Sequence, residues 1–148
     1  MFKVRIPEAE ECILNVTNIM EYVIQTSEID EQKKSAVEHG TELDCIWNIT
    51  VKEGYKIQMS FPLFHLDKPN ECDINYVQVY NKDPTTLNHP SLISNFCGSI
   101  ADLVTSSGNE AWIRFFITKA TINSSFEVTV TAVREKDSKD KGKDEFSK

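Results

Sequence analysis

The sequence predicts an all-β domain, an antiparallel two-sheet β-sandwich, on three observations. Apolar and polar residues alternate in several short stretches from Cys45 onward. Turn-forming clusters separate those stretches. The 148 residues are 40% hydrophobic, enough for one core, yet no apolar run reaches the roughly 18 residues of a membrane helix.

Taken in order, DCIWNITV places Cys45, Trp47, Ile49 and Val51 on one face and Asn48 on the other. Glu53-Gly54 supplies a turn, and Ile57, Met59 and Phe61 then share a face in KIQMSF. The two stretches are expected to pair as a hairpin. Residues 76–80 form a strand with Val77 and Val79 inward, and residues 111–117 one with Ala111, Ile113, Phe115 and Ile117 inward. Residues 126–132 follow, with Phe126, Val128, Val130 and Ala132 inward and Glu127, Thr129 and Thr131 in solvent. Trp112 and Phe116 make the second face of 111–117 apolar as well. That strand is either central and covered on both faces or part of a sticky surface.

Two regions break the alternation. Residues 27–40, SEIDEQKKSAVEHG, open with Ser27 and Asp30 at capping-box-like spacing and close on a glycine, which fits a short helix near 28–39 or a charged loop. Residues 134–148 are almost wholly charged and predict a disordered tail or linker. Residues 1–11 read as a leader segment without an apolar signal core, leaving 12–133 as the domain.

Net charge is −7, which excludes a phosphate-tracking nucleic-acid binder and favours a basic partner. Four cysteines, Cys12, Cys45, Cys72 and Cys97, lack the Cys-x-x-Cys spacing of zinc sites and suit two disulfides in an oxidising compartment. Three N-glycosylation sequons, at Asn15, Asn48 and Asn123, agree with an extracellular chain, and alternation turns Asn48 to solvent. A zinc set of Cys72, Cys97, His65 and His89 competes poorly with a bridge for the two sulfurs. No G-x-S-x-G elbow, H-E-x-x-H pair or phosphate-cradling glycine loop is present, so no enzyme is expected. The remaining stretch with the look of a chemical site is Asn70-Glu71-Cys72-Asp73-Ile74-Asn75, a cysteine among oxygen-bearing side chains.

An ordered set of residues carries a family resemblance. Cys45-x-Trp47-x-Ile49 is followed by Glu53-Gly54-Tyr55-x-Ile57-x-Met59-x-Phe61, Phe64-x-Leu66-Asp67 and Cys72-x-x-Asn75-Tyr76-Val77. Cys97-Gly98, Ser106-Ser107-Gly108-Asn109, Ile113-x-Phe115 and Phe126-x-Val128 complete it. Over residues 12–133 this resembles a CUB domain. The resemblance implies a CUB-like jelly-roll sandwich and bridges Cys12–Cys45 and Cys72–Cys97. The chain departs from the family between Cys12 and Cys45, where it reads MEYVIQTSEIDEQKKSAVEHG. Residues 20–41, together with 81–96, are therefore candidate contact loops. Within 81–96, Leu87, Leu92, Ile93 and Phe96 serve either contact or core, with core favoured for the last three.

Many CUB domains bind calcium through three acidic positions, which the resemblance transfers to Asp67, Asn75 and Thr118. Calcium affinity follows carboxylate count, and here the count falls from three to one. The resemblance thus implies a member with degenerate calcium positions and no cofactor. The expected function is a non-catalytic, extracellular protein-interaction module in a secreted protein or a receptor or auxiliary-subunit ectodomain, with another extracellular protein as partner. The alternatives are a calcium-dependent adaptor, a regulatory CUB segment of an extracellular protease, and a glycan-binding protein of spermadhesin type.

Overall fold

The computed structural model describes residues 12–85 and 91–134. In chain order its elements are β1 (Cys12–Thr17), β2 (Glu21–Gln25), α1 (Asp30–His39), β3 (Leu43–Thr50), β4 (Tyr55–His65) and β5 (Asn75–Tyr80). They continue with β6 (Leu92–Phe96), β7 (Val104–Thr105), β8 (Glu110–Ile117) and β9 (Ser125–Arg134). One sheet runs β1-β3-β8-β5-β6 and the other β2-β9-β4-β7. The domain is the β-sandwich that the alternation predicts.

Every inward face assigned to β3, β5, β8 and β9 is buried, from Cys45, Trp47 and Ile49 through Val77 and Val79 to Phe115, Phe126 and Val130. Aromatic rings join the sheets at the centre. Trp47 of β3 lies 5.5 Å from Phe126 of β9, and Phe115 of β8 stacks on Phe126 at 5.1 Å. Phe61 extends the cluster to Phe96, 5.4 Å away. Edge-to-face and offset contacts of this kind add to the burial term.

The expected hairpin between β3 and β4 does not form, because the strands lie in different sheets. Both edges of β3 are taken, by β1 and β8. The turn swings the chain across the sandwich through Gly54 at φ +93°, a left-handed value glycine adopts without strain, and Tyr55 N–H donates to the Lys52 carbonyl at 3.1 Å. Val51 N–H donates to the Asn109 carbonyl at 2.9 Å and the Asn109 amide returns a bond to the Val51 carbonyl at 3.0 Å, tying the exit of β3 to the entry of β8.

A second departure is that β1 pairs parallel to β3, with Cys12 opposite Cys45. Disulfides join Cys12 to Cys45 and Cys72 to Cys97, with Cα atoms 4.6 and 5.3 Å apart. The first fastens an edge strand held by hydrogen bonds on one side alone.

The stretch read as a short helix or a charged loop is helical over residues 26–39. A 3-10 turn, Thr26–Ile29, runs into α1, and Gly40 closes it at φ +63°. The capping box sits earlier than Ser27 and Asp30, at Gln25 and Glu28, where Gln25 N–H donates to the Glu28 carboxylate at 3.2 Å. The other Glu28 oxygen accepts the Trp47 indole N–H at 3.0 Å, and the segment buries its own Thr26, Ile29 and Ala36.

Residues 92–96, read as contact or core with core favoured for Leu92, Ile93 and Phe96, form an edge strand that bears out the core reading for two of the three. Ile93 and Phe96 pack on the core, while Leu92 is exposed. Strand β9 continues through Arg134, which pairs with Tyr55, one residue into the stretch assigned to the tail. The leader 1–11, the rest of the tail, Leu87 and His89 lie outside the described residues.

Replacing Cys12 and Cys45 together by alanine is expected to cost about 3–4 kcal/mol, from the 33-residue separation of the cysteines and the loss of the β1 anchor. Urea denaturation of the oxidised wild type and the double variant measures it.

Candidate functional site

Asp67, Asn75 and Thr118 are brought into one hydrogen-bonded network at one end of β5. Asn75 opens that strand, fully buried, with its side chain turned inward. Its Oδ1 accepts from Lys68 N–H at 3.0 Å and the Ser124 hydroxyl at 3.3 Å. Its Nδ2 donates to the Lys68 carbonyl at 3.0 Å and the Glu71 carbonyl at 3.1 Å. Both donors and both acceptor positions of the amide are therefore used inside the protein. Asp67 Oδ2 accepts Asn123 N–H at 2.8 Å, and its Oδ1 stands 3.2 Å from His65 Nε2. Thr118 faces the Thr121 hydroxyl at 3.2 Å, and Thr121 donates to the Ile74 carbonyl at 2.8 Å.

A cation is already present at this end of the domain. Lys33 reaches over from α1, and its Nζ donates to the Ser124 carbonyl at 3.1 Å. Burial holds the ammonium below the usual lysine range against the attraction of the Asp30 and Asp67 carboxylates. A satisfied neutral amide, a threonine and one doubly engaged carboxylate beside an ammonium do not fit calcium, which wants several free hard oxygens. Cys72 and Cys97 are joined to each other, so neither offers a thiolate to zinc. Among the described residues no three His, Cys, Asp or Glu side chains converge.

The outward surfaces of the two sheets differ in kind. On the four-stranded sheet the register aligns Val23, Thr129 and Ser60, then Glu21, Thr131, Gln58 and Thr105, a surface mostly of hydroxyls, amides and charge. On the five-stranded sheet it aligns three rows across β3, β8 and β5. These are Asn48, Trp112 and Tyr80; Ile46, Arg114 and Gln78; and Asp44, Phe116 and Tyr76. Ile13, paired with Ile46 and 46% exposed, and Leu92, paired with Tyr80 and 51% exposed, extend this face toward its two edges.

Specific contacts hold the aromatic face. Tyr76 and Phe116 stack at 5.2 Å. Arg114 makes a bidentate pair with Asp44, Nε to Oδ1 at 2.9 Å and Nη2 to Oδ2 at 2.6 Å, which raises its already high pKa further. Burial raises the Tyr76 hydroxyl above its ordinary range, against the nearby Arg114 charge. The Trp112 indole nitrogen is covered and has no hydrogen-bond partner among the described residues.

Trp112 and Phe116 were visible in the sequence as a second apolar face on one strand. Asp44, Ile46, Tyr76, Tyr80 and Arg114 were missed. The available signal was the outward set of 76–80, aromatic at both ends where the outward set of 126–132 is polar.

The sequon asparagines also find their places. Asn15 and Asn48 lie side by side in the β1–β3 pair, and Asn48 Nδ2 donates to Asn15 Oδ1 at 3.3 Å. Asn123 is exposed in the loop before β9.

Comparisons with known proteins place this geometry. The profile of the CUB domain matches residues 21–130, a stretch that begins after β1. Human tolloid-like protein 1 is 33% identical over 81 residues, covering 54% of this chain and 8% of that protein. Dog cubilin is 30% identical over 95 residues, covering 63% of this chain and 2% of that protein. The chain thus spans under a tenth of either relative. Among solved structures, the CUB1-EGF-CUB2 domains of rat MASP-1 superpose with a TM-score of 0.59 at 21% identity, covering 82% of this chain and 42% of that one.

Two outcomes follow from the site chemistry. Asn75→Asp should destabilise the domain by on the order of 2–3 kcal/mol, since a carboxylate loses both donated bonds and is buried without a metal; urea melts check this, and millimolar calcium should leave the wild-type melting temperature unchanged. Tyr76 binds its proton more tightly in the folded chain than in the unfolded, so its contribution to stability is complete below the ordinary value of 10.0 and is lost as pH rises through the raised folded value. Urea melts on both sides of that pH should show this loss in wild type, and Tyr76→Phe should remove it.

Proposed function

The chain belongs to the CUB domain family, and from that premise we propose that it is a non-catalytic, extracellular protein-interaction module that docks its partner on the aromatic outer face of the five-stranded sheet. The observation that carries this reading is the contrast between the two outer faces. Both sheets need an apolar inner face to build the core, but nothing in the fold requires an apolar outer one. The outer face of the four-stranded sheet is mostly polar, and that of the five-stranded sheet presents the partly exposed Phe116 and Tyr76 beside a fixed Arg114, with Trp112 partly exposed two rows from Phe116 and Ile46 and Tyr80 buried within the face.

Tyrosine and arginine are among the residue types that dominate binding energy at protein interfaces, and aromatic rings give wide contact for little lost side-chain freedom. The Arg114–Asp44 pair locks the guanidinium before a partner arrives, which lowers the ordering cost of association. The net charge of −7 favours a partner with basic surface around an apolar centre and speeds the encounter. Two disulfides, three sequons and the family support an extracellular setting, in a secreted protein or the ectodomain of a membrane protein. The satisfied Asn75 amide and the Lys33 ammonium speak against a calcium-dependent adaptor.

The test is a binding screen against a panel of extracellular domains, followed by affinity measurement on variants of both faces. Phe116→Ala and Tyr76→Ala should each weaken the partner by about ten- to thirtyfold, on the order of 1–2 kcal/mol. Thr129→Ala and Thr131→Ala, on the opposite sheet, should leave it unchanged. A partner that ignores the aromatic variants and responds to the threonine variants would place the docking face on the wrong sheet.

A further inference from the structure

Asn15 heads the sequon Asn15-Val16-Thr17 and Asn48 heads Asn48-Ile49-Thr50. The parallel register of β1 and β3 sets Asn15 directly beside Asn48 and Thr17 directly beside Thr50. Both asparagines point away from the core, and their side chains touch, Asn48 Nδ2 to Asn15 Oδ1 at 3.3 Å. Two modification signals far apart in sequence have become one spot on the surface.

We propose that Asn15 and Asn48 form a single glycan site, occupied at Asn48, with the first sugar of that glycan lying on the indole of Trp112. The proposal rests on the extracellular reading above and adds to it which asparagine is used and what the sugar covers. An N-linked glycan leaves through the side-chain nitrogen. Neighbouring strands are about 4.8 Å apart, so two pyranose rings leaving the same face from directly paired residues must overlap unless the strands separate. The Cys12–Cys45 bridge, three residues before each asparagine, keeps them together. The folded chain therefore has room for one glycan at the pair.

The surroundings choose between the two. Asn15 lies on an edge strand with an asparagine as its one cross-strand neighbour. Asn48 has Trp112 as its direct partner on β8, at the close approach of cross-strand pairs, and Tyr80 is next in the same row. Trp112 is partly exposed there. The C–H face of a pyranose is apolar, and a broad indole beside the attachment point gives it a surface to cover. A sugar placed so shields Asn48 and Trp112, next to a Tyr80 that the protein itself already buries. It leaves the rows of Arg114 and Phe116 to a protein partner, so glycan and partner share one sheet face without competing.

The experiment is glycopeptide and intact-mass analysis of the full chain secreted from animal cells, joined to tryptophan fluorescence. The expected result is carbohydrate on Asn48, a bare Asn15, and no molecule carrying both. Complete enzymatic removal of the glycan should shift tryptophan emission to the red, whereas trimming that leaves the first sugar should not, and Trp112→Phe should abolish the shift. Molecules glycosylated at both positions, a glycan on Asn15 with Asn48 bare, or emission indifferent to complete removal each overturns the inference. A bare pair beside an occupied Asn123 overturns it while leaving the extracellular reading intact; a secreted chain bare at all three sites counts against both. Partner affinity read through Phe116 and Tyr76 is independent of these outcomes.

Discussion

Trp47 is buried between the sheets, its ring against Phe126 and its indole N–H on the Glu28 carboxylate. One side chain on β3 thereby fixes three things: the spacing of the sandwich, the placement of β9, and the docking of the helical segment 26–39. A buried indole requires an acceptor, and the acceptor comes from the segment in which the chain departs from its family's usual pattern. Glu28 serves the backbone of Gln25 with its other oxygen, so the same carboxylate caps the 3-10 turn and anchors it to the core. The helix then carries Lys33 to the Ser124 carbonyl, at the end of the domain where Asn75 opens β5. Core packing, the helical segment and the replaced cation are links in one chain of contacts.

Much of the sandwich was legible in the sequence because burial on one face leaves a period of two. Strands β3, β5, β8 and β9 bury every second residue, with Ile46 and Tyr80 buried besides, and were read with their inward faces correct. Strand β2 buries Ile24 alone among five residues, and β7 has only two, so neither leaves a period to read. Strand β1 keeps an alternation but gains its place through a covalent link and a parallel partner 33 positions away. Periodicity reports which way a side chain points and is silent on which strand lies beside it. That is why the inward sets of β3 and β4 were right and their pairing was not.

The candidate sites divide along the same line. Asp67, Asn75 and Thr118 were located by motif, and local chemistry then explains why they do not suit calcium: an amide with four satisfied bonds leaves no oxygen for a metal. The aromatic face could not be read as a unit, since its rows draw on three strands that become neighbours only after folding. The sequon pair was equally hidden. Each sequon is plain in the sequence, and their adjacency exists only in the register of β1 on β3.

The bridge at the head of β1 bears on how tension would travel through the domain. Cys12 is the first residue of that strand and Cys45 lies in the strand beside it, one position from the centre of the sheet. A pull on the backbone ahead of Cys12 crosses covalently into β3, and the hydrogen bonds of β1 carry none of it. Once the bridge is reduced, the same pull reaches β1 itself and loads its ladder in shear. The edge strand then becomes the first mechanical fuse of the domain, set by the redox state of its surroundings rather than by the strength of its pairing.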